Sequence, residues 1–130
     1  MKHFINLKDI PSKDLRKILL DAKKRKKKRN KFNALQTDKD LPLKNKLLVQ
    51  MFEKSSLRTR LSFYLAIKQL GGGTLTLRSN ELHLGDGGET IEDTAKILST
   101  YGDGFMLRTD SDKKIDNFKD HLSIPVINGL

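Results

Sequence analysis

From residue 46 onward, short apolar runs alternate with polar segments in which apolar residues recur at helical spacing. Residues 46–52, Lys-Leu-Leu-Val-Gln-Met-Phe, form a short and nearly unbroken apolar run, the pattern of a strand covered on both faces. Residues 57–70 predict a helix, and Gly71-Gly72-Gly73 ends it and lets the chain turn sharply. Thr74-Leu75-Thr76-Leu77-Arg78 alternates apolar and β-branched residues and predicts a second strand. Residues 79–89, with three glycines and three acids, predict a mobile loop. Thr90 with Asp93 three residues on is a capping signal for a helix carrying Ile91, Ala95, Ile97 and Leu98 to about Thr100. Residues 104–109 predict a third strand, Ile115, Phe118 and Leu122 a short helix, and residues 124–128 a fourth strand. Nearer the start, Ser12 reads as the N-cap of a helix with Leu15, Ile18, Leu19 and Ala22 on one side. That helix is expected to fray in the basic run that follows it, and residues 33–45, with Pro42, to form a connection.

Strand–helix alternation of this kind predicts an α/β fold: a parallel four-stranded sheet with right-handed crossovers and flanking helices. In open sheets of that type ligands bind outside the carboxyl ends of the strands. The rule gathers three pieces of chain at one edge: Ser55 to Thr59, the loop after the second strand, and Arg108 at the end of the third. The turn Phe52-Glu53-Lys54-Ser55-Ser56-Leu57-Arg58-Thr59-Arg60 places hydroxyls and guanidiniums where a strand gives way to a helix. Free N–H groups and the positive end of the helix dipole favour an anion there, and arginine adds a planar fork of donors matched to phosphate. Each of these residues also has a plainer reading. Arg58 and Arg60, two apart on a helix, point to different faces, so one is expected to meet the ligand and the other an acid. Ser56 can serve as a helix cap, Arg108 as a surface charge, and His83 as a solvated loop residue.

At 130 residues, 36% apolar and 32% charged, the chain is expected to form one domain over 1–130. No apolar run approaches the roughly 20 residues of a membrane span. Residues 1–6 lack the apolar core of a secretion signal, and cysteine is absent, so a cytoplasmic location is expected and thiolate or disulfide chemistry is excluded. His3, His83 and His121 show no metal-ligand spacing, and neither a Walker A nor a dinucleotide fingerprint occurs. No cofactor and no metal are expected. Of the net charge of +10, much sits in Lys23-Lys24-Arg25-Lys26-Lys27-Lys28-Arg29-Asn30-Lys31. A basic block can bind nucleic acid, but with no aromatic residues interleaved the favoured reading is a solvated helix C-terminus, and no nucleic-acid partner is expected.

The turn at 52–60 closely resembles the carbamoyl phosphate motif of the aspartate and ornithine carbamoyltransferases, whose common core is Ser-Thr-Arg-Thr-Arg. The resemblance continues in order through Leu70-Gly71-Gly72, His83-Leu84-Gly85, Glu89-Thr90-Ile91-Glu92-Asp93-Thr94-Ala95, Arg108 and Ile124-Pro125-Val126-Ile127-Asn128-Gly129-Leu130, covering nearly all the chain from Leu41. Within the family the ornithine branch fits better. Phe52-Glu53-Lys54 and His83-Leu84-Gly85 lean that way, and Gly87-Gly88-Glu89-Thr90 lacks the lysine usual in aspartate enzymes. Aspartate and acetylornithine remain as alternative second substrates. The resemblance implies the N-terminal, carbamoyl phosphate-binding half of a two-domain fold and a carbamoyltransferase of arginine biosynthesis. It also implies a homotrimer and no cofactor. Ser56, Leu57, Arg58, Thr59, His83 and Arg108 would bind carbamoyl phosphate, with Arg58 and Arg108 catalytic and His83 acting across a subunit interface. Leu57 stands where threonine is commoner, removing one hydroxyl, and the loop from Leu84 to Glu89 is one residue longer than usual. The His-Pro-x-Gln element and the amino-acid-binding domain of the family have no counterpart in these residues, so ornithine turnover by this chain alone is not expected.

Overall fold

The computed structural model describes residues 2–78, 81 and 88–130. Four strands, β1 (Leu47–Phe52), β2 (Gly73–Arg78), β3 (Gly104–Arg108) and β4 (Val126–Asn128), form one sheet in the order β2-β1-β3-β4. Every pairing is parallel. The helices are α1 (Ser12–Lys28), α2 (Leu57–Gln69), α3 (Ile91–Tyr101) and α4 (Asp112–His121). The predicted α/β fold with a parallel four-stranded sheet is therefore present.

Position in the sheet follows from composition. β1 and β3 are the most continuously apolar strands and hold the two central places, whereas the alternating β2 takes an edge. Side chains alternate between the two faces of a strand. One face presents Val49, Met51, Phe105, Leu107 and Val126 to Ala95 and Leu98 of α3 and to Ile115 and Phe118 of α4. The rings of Phe105 and Phe118 lie 4.9 Å apart and tilted, a favourable aromatic contact at the centre of this core. The opposite face carries Leu48, Gln50 and Met106, all buried. Gln50 is out of character there: it is fully buried, and neither its amide oxygen nor its amide nitrogen has a hydrogen-bond partner among the described residues.

The N-terminal segment adds an unforeseen contact. Phe4 bridges Ile127 in parallel, its N–H donating to Val126 O at 2.8 Å and its carbonyl accepting from Asn128 N, also at 2.8 Å. Beside it, His3 Nδ1 accepts the Val126 N–H at 3.1 Å. Burial, then the charge of Lys119, holds the His3 pKa below its ordinary value, which favours the neutral ring that can accept.

Two expectations for the first helix need correction. Ser12 is its first residue, not its N-cap; Pro11 holds the cap position, with extended backbone and no side chain able to cap. Nor does the helix fray in the basic run. It continues to Lys28 and into a 3₁₀ turn, Arg29–Lys31. Asp21 within the helix and two acids of the following connection, Asp38 and Asp40, hold it. Arg25 donates to Asp21, Asp38 and Asp40 at 2.7–3.0 Å, and Arg29 donates to Asp38 at 2.6 Å and to Gln36 O. Burial pushes the Asp38 carboxyl up, but bonds from Arg25 and Arg29 outweigh it and leave its pKa below the ordinary value.

Candidate functional site

Phe52 of β1 is in register with Arg78 of β2 and with Arg108 of β3, so three strand ends are level at one edge of the sheet. Glu53 continues from β1, its N–H donating to Arg108 O at 3.1 Å. The chain then turns through Lys54, Ser55 and Ser56 into α2.

How α2 begins is the main feature of this edge. Ser56 holds the N-cap position with extended backbone, yet its hydroxyl makes no capping hydrogen bond. The first intrahelical bond is from Arg60 N to Ser56 O at 3.1 Å, which leaves the amides of Leu57, Arg58 and Thr59 ahead of it without intrahelical partners. The plain reading of Ser56 as a side-chain cap is thus not what the structure shows. Leu57, the first residue of the helix, is 63% exposed.

Arg108 meets this helix start from the adjacent strand. Its Nη1 donates to Thr59 Oγ1 at 3.2 Å and to Gly129 O at 2.6 Å. A Cβ at Gly129 would lie 2.4 Å from Met106 Sδ, so a larger residue there would require the Met106 side chain to move. Among the described residues the guanidinium's Nε and Nη2 make no hydrogen bond. Half-buried and fastened at two points, Arg108 is not the loose surface charge that the strand-end pattern alone allowed.

The two arginines of the turn diverge. Arg60 lines an open cleft of about 770 Å³ with Lys54, Ser55, Ser56, Arg78 and Glu81, on the β2 side of the turn. Arg58 is exposed and outside that lining. Neither forms an ion pair among the described residues, so the expectation that one would pair with an acid is not met. His83 lies outside the described residues.

Sequence reasoning missed a set of bonds behind the turn. Glu53 accepts from Thr109 Oγ1 and from Lys114 Nζ, and Lys54 donates to Asp110. The Lys54 ammonium holds the Asp110 carboxyl below its ordinary range. Glu53 and Lys114 are 61 residues apart, so no local spacing signals the pair. Chemically, the edge presents open amides, hydroxyls and a fastened guanidinium, an arrangement for binding a compact anion. No group of three or more potential metal ligands occurs among the described residues.

Fold and edge together define an open parallel α/β domain with an anion-suited strand-to-helix turn. The family model for the aspartate/ornithine carbamoyltransferase carbamoyl-P binding domain matches residues 2–130. The chain is 45% identical over 129 residues to an ornithine carbamoyltransferase from Agrobacterium fabrum, covering 99% of this chain and 40% of that one. Among solved structures, anabolic ornithine carbamoyltransferase from Campylobacter jejuni superposes with a TM-score of 0.85 at 35% identity, covering 100% of this chain and 40% of that one. The catalytic subunit of aspartate transcarbamoylase from M. jannaschii gives a TM-score of 0.82 at 34% identity, covering 98% and 41%. The chain belongs to the aspartate/ornithine carbamoyltransferase family, and it spans about two fifths of the length of these relatives.

Proposed function

We propose that the chain is the carbamoyl phosphate-binding domain of an ornithine carbamoyltransferase, and that the turn at the start of α2 is its phosphate site. The observation that carries this reading is the Arg108–Thr59 hydrogen bond of 3.2 Å, which sets a guanidinium beside the open amides of Leu57, Arg58 and Thr59. In this reading the Ser56 and Thr59 hydroxyls and the three amides hold the phosphate oxygens, and Arg58 folds over the anion from the exposed side. Arg108 donates from its remaining N–H groups to the carbonyl oxygen of the carbamoyl group.

The reaction proposed for the whole enzyme is direct acyl transfer. The neutral δ-amine of ornithine attacks the carbamoyl carbon and a C–N bond forms; the bond from that carbon to the bridging phosphate oxygen breaks, the amine gives up one proton to the leaving phosphate, and citrulline and phosphate result. Negative charge grows on the carbonyl oxygen and on the leaving phosphate. Fixed donors aimed at those oxygens stabilise the transition state more than the ground state. No cofactor is assigned a step. Ornithine is proposed over aspartate because Gly87-Gly88-Glu89-Thr90 has no lysine for an acidic second substrate. Its binding is assigned to the family's second domain, so residues 1–130 alone are expected to form no citrulline. A homotrimer, with His83 reaching a neighbouring site, belongs to this proposal, as do a cytoplasmic location and a place in arginine biosynthesis. No helix among the described residues is long and apolar enough to cross a membrane.

Two arginines of the basic block have a structural use within the domain. Arg25 and Arg29 are engaged by Asp21, Asp38 and Asp40, and Phe32 lies under the Arg29 guanidinium at 5.4 Å.

Saturating carbamoyl phosphate is expected to raise the melting temperature of the purified chain, because a ligand bound only by the folded state stabilises it. Arg58→Ala is expected to abolish the rise. A melting curve unmoved by the ligand overturns the reading.

A further inference from the structure

We infer that Glu53 is a positioning residue for the anion turn, held by Thr109 and Lys114. Its two carboxylate oxygens are divided between the Thr109 hydroxyl and the Lys114 ammonium. The Glu53 and Lys114 side chains are only 17% and 33% exposed, so solvent screens this pair less than an ordinary surface salt bridge. Thr109 is 2% exposed and has no freedom in its role, since its hydroxyl donates to Glu53 and accepts from Ser111 N at 3.1 Å. Ser111 in turn caps α4, and Lys114 stands in the first turn of that helix. With Glu53 N bonded to Arg108 O, the residue that opens the anion turn is joined to the strand carrying Arg108 and to the helix behind it.

Two consequences follow for binding. The bonds set how far the start of α2 stands from Arg108, and so how well the two meet one anion. They also neutralise a carboxylate that would otherwise repel an anion at the same strand end. This role rests on the turn being the carbamoyl phosphate site, and charge distinguishes it from simple bracing. Lys114→Met leaves the Glu53 carboxylate uncompensated and should weaken carbamoyl phosphate roughly tenfold. Glu53→Gln keeps an acceptor for Thr109 and should weaken it only about threefold. The double variant should recover to the level of Glu53→Gln, because the repelling charge is gone.

The experiment is calorimetric titration of carbamoyl phosphate into the chain and these three variants. It is paired with amide NMR spectra of the ligand-free proteins. Recovery in the double variant supports the inference, and a double variant as weak as Lys114→Met, or single variants that bind as the parent does, overturns it. If the parent chain binds no carbamoyl phosphate, the site reading fails, and the ligand-free spectra alone judge the positioning role. Glu53→Gln should then shift the amide resonances of Ser55 to Thr59, whereas unshifted resonances there overturn it. Thr109→Val, which keeps the ion pair and removes one bond, should produce a smaller shift of the same resonances; no shift again counts against the inference.

Discussion

Helices α3 and α4 begin under side-chain caps, with Thr90 Oγ1 accepting the Asp93 N–H at 3.1 Å and Ser111 Oγ the Lys114 N–H at 3.3 Å; Ser56, at the start of α2, caps nothing. The same helices differ in packing. α3 buries Thr94, Ala95 and Leu98 and α4 buries Ile115 and Phe118, whereas no residue of α2 is buried. On one face of the sheet, helices are built to stabilise the domain and satisfy their own termini. On the other, a helix start is left open beside Arg108. The stabilising contacts and the proposed anion site thus fall on different helices, and substitutions can separate them.

The largest expected effect is on the stabilising side. Phe118→Ala should cost roughly 3–5 kcal/mol of unfolding free energy in urea titration, because it empties the space against Phe105. Arg108→Ala should act on the other side, weakening carbamoyl phosphate about ten- to a hundredfold by calorimetry through the loss of charged hydrogen bonds. A Phe118-sized loss of stability in the Arg108 variant would break the division between the helices. Gln50→Leu should raise stability by about 1–3 kcal/mol, because it removes two buried polar atoms that have no partner among the described residues. Thr90→Ala and Ser111→Ala should each cost about 1 kcal/mol in urea titration. Ser56→Ala should leave stability nearly unchanged but weaken carbamoyl phosphate several-fold. Smallest of all, Leu57→Thr, which restores a hydroxyl at the site, should tighten binding by a few-fold, in keeping with about 0.5–1.5 kcal/mol for one neutral hydrogen bond.

What could be read from the sequence was local. Thr90 announces the α3 cap because donor and acceptor lie three residues apart, and the near-continuous apolar run of β1 marks it as a strand covered on both faces. The strand-end rule also brought the turn at 55–59 and Arg108 together, and the Arg108–Thr59 bond bears that out. Interactions between distant segments were not legible. Arg25 and Arg29 read as solvated charge because two of the acids that engage them, Asp38 and Asp40, lie in an irregular connection 9 to 15 residues on. The Glu53–Lys114 pair and the His3 and Phe4 contacts with β4 join segments that only the folded sheet makes neighbours. Nor does helical spacing say that Ser56 leaves its own helix uncapped, since a serine before a helix has the same pattern whether or not its hydroxyl turns inward.

The most direct test of the open helix start is a carbamoyl phosphate titration followed by amide NMR. The largest shifts are expected at Leu57, Arg58 and Thr59, with a smaller response at Arg108 and none at the capped starts of α3 and α4. No shift at 57–59, or shifts as large at Ile91 to Asp93 or Asp112 to Lys114, would contradict the assignment of the anion to α2.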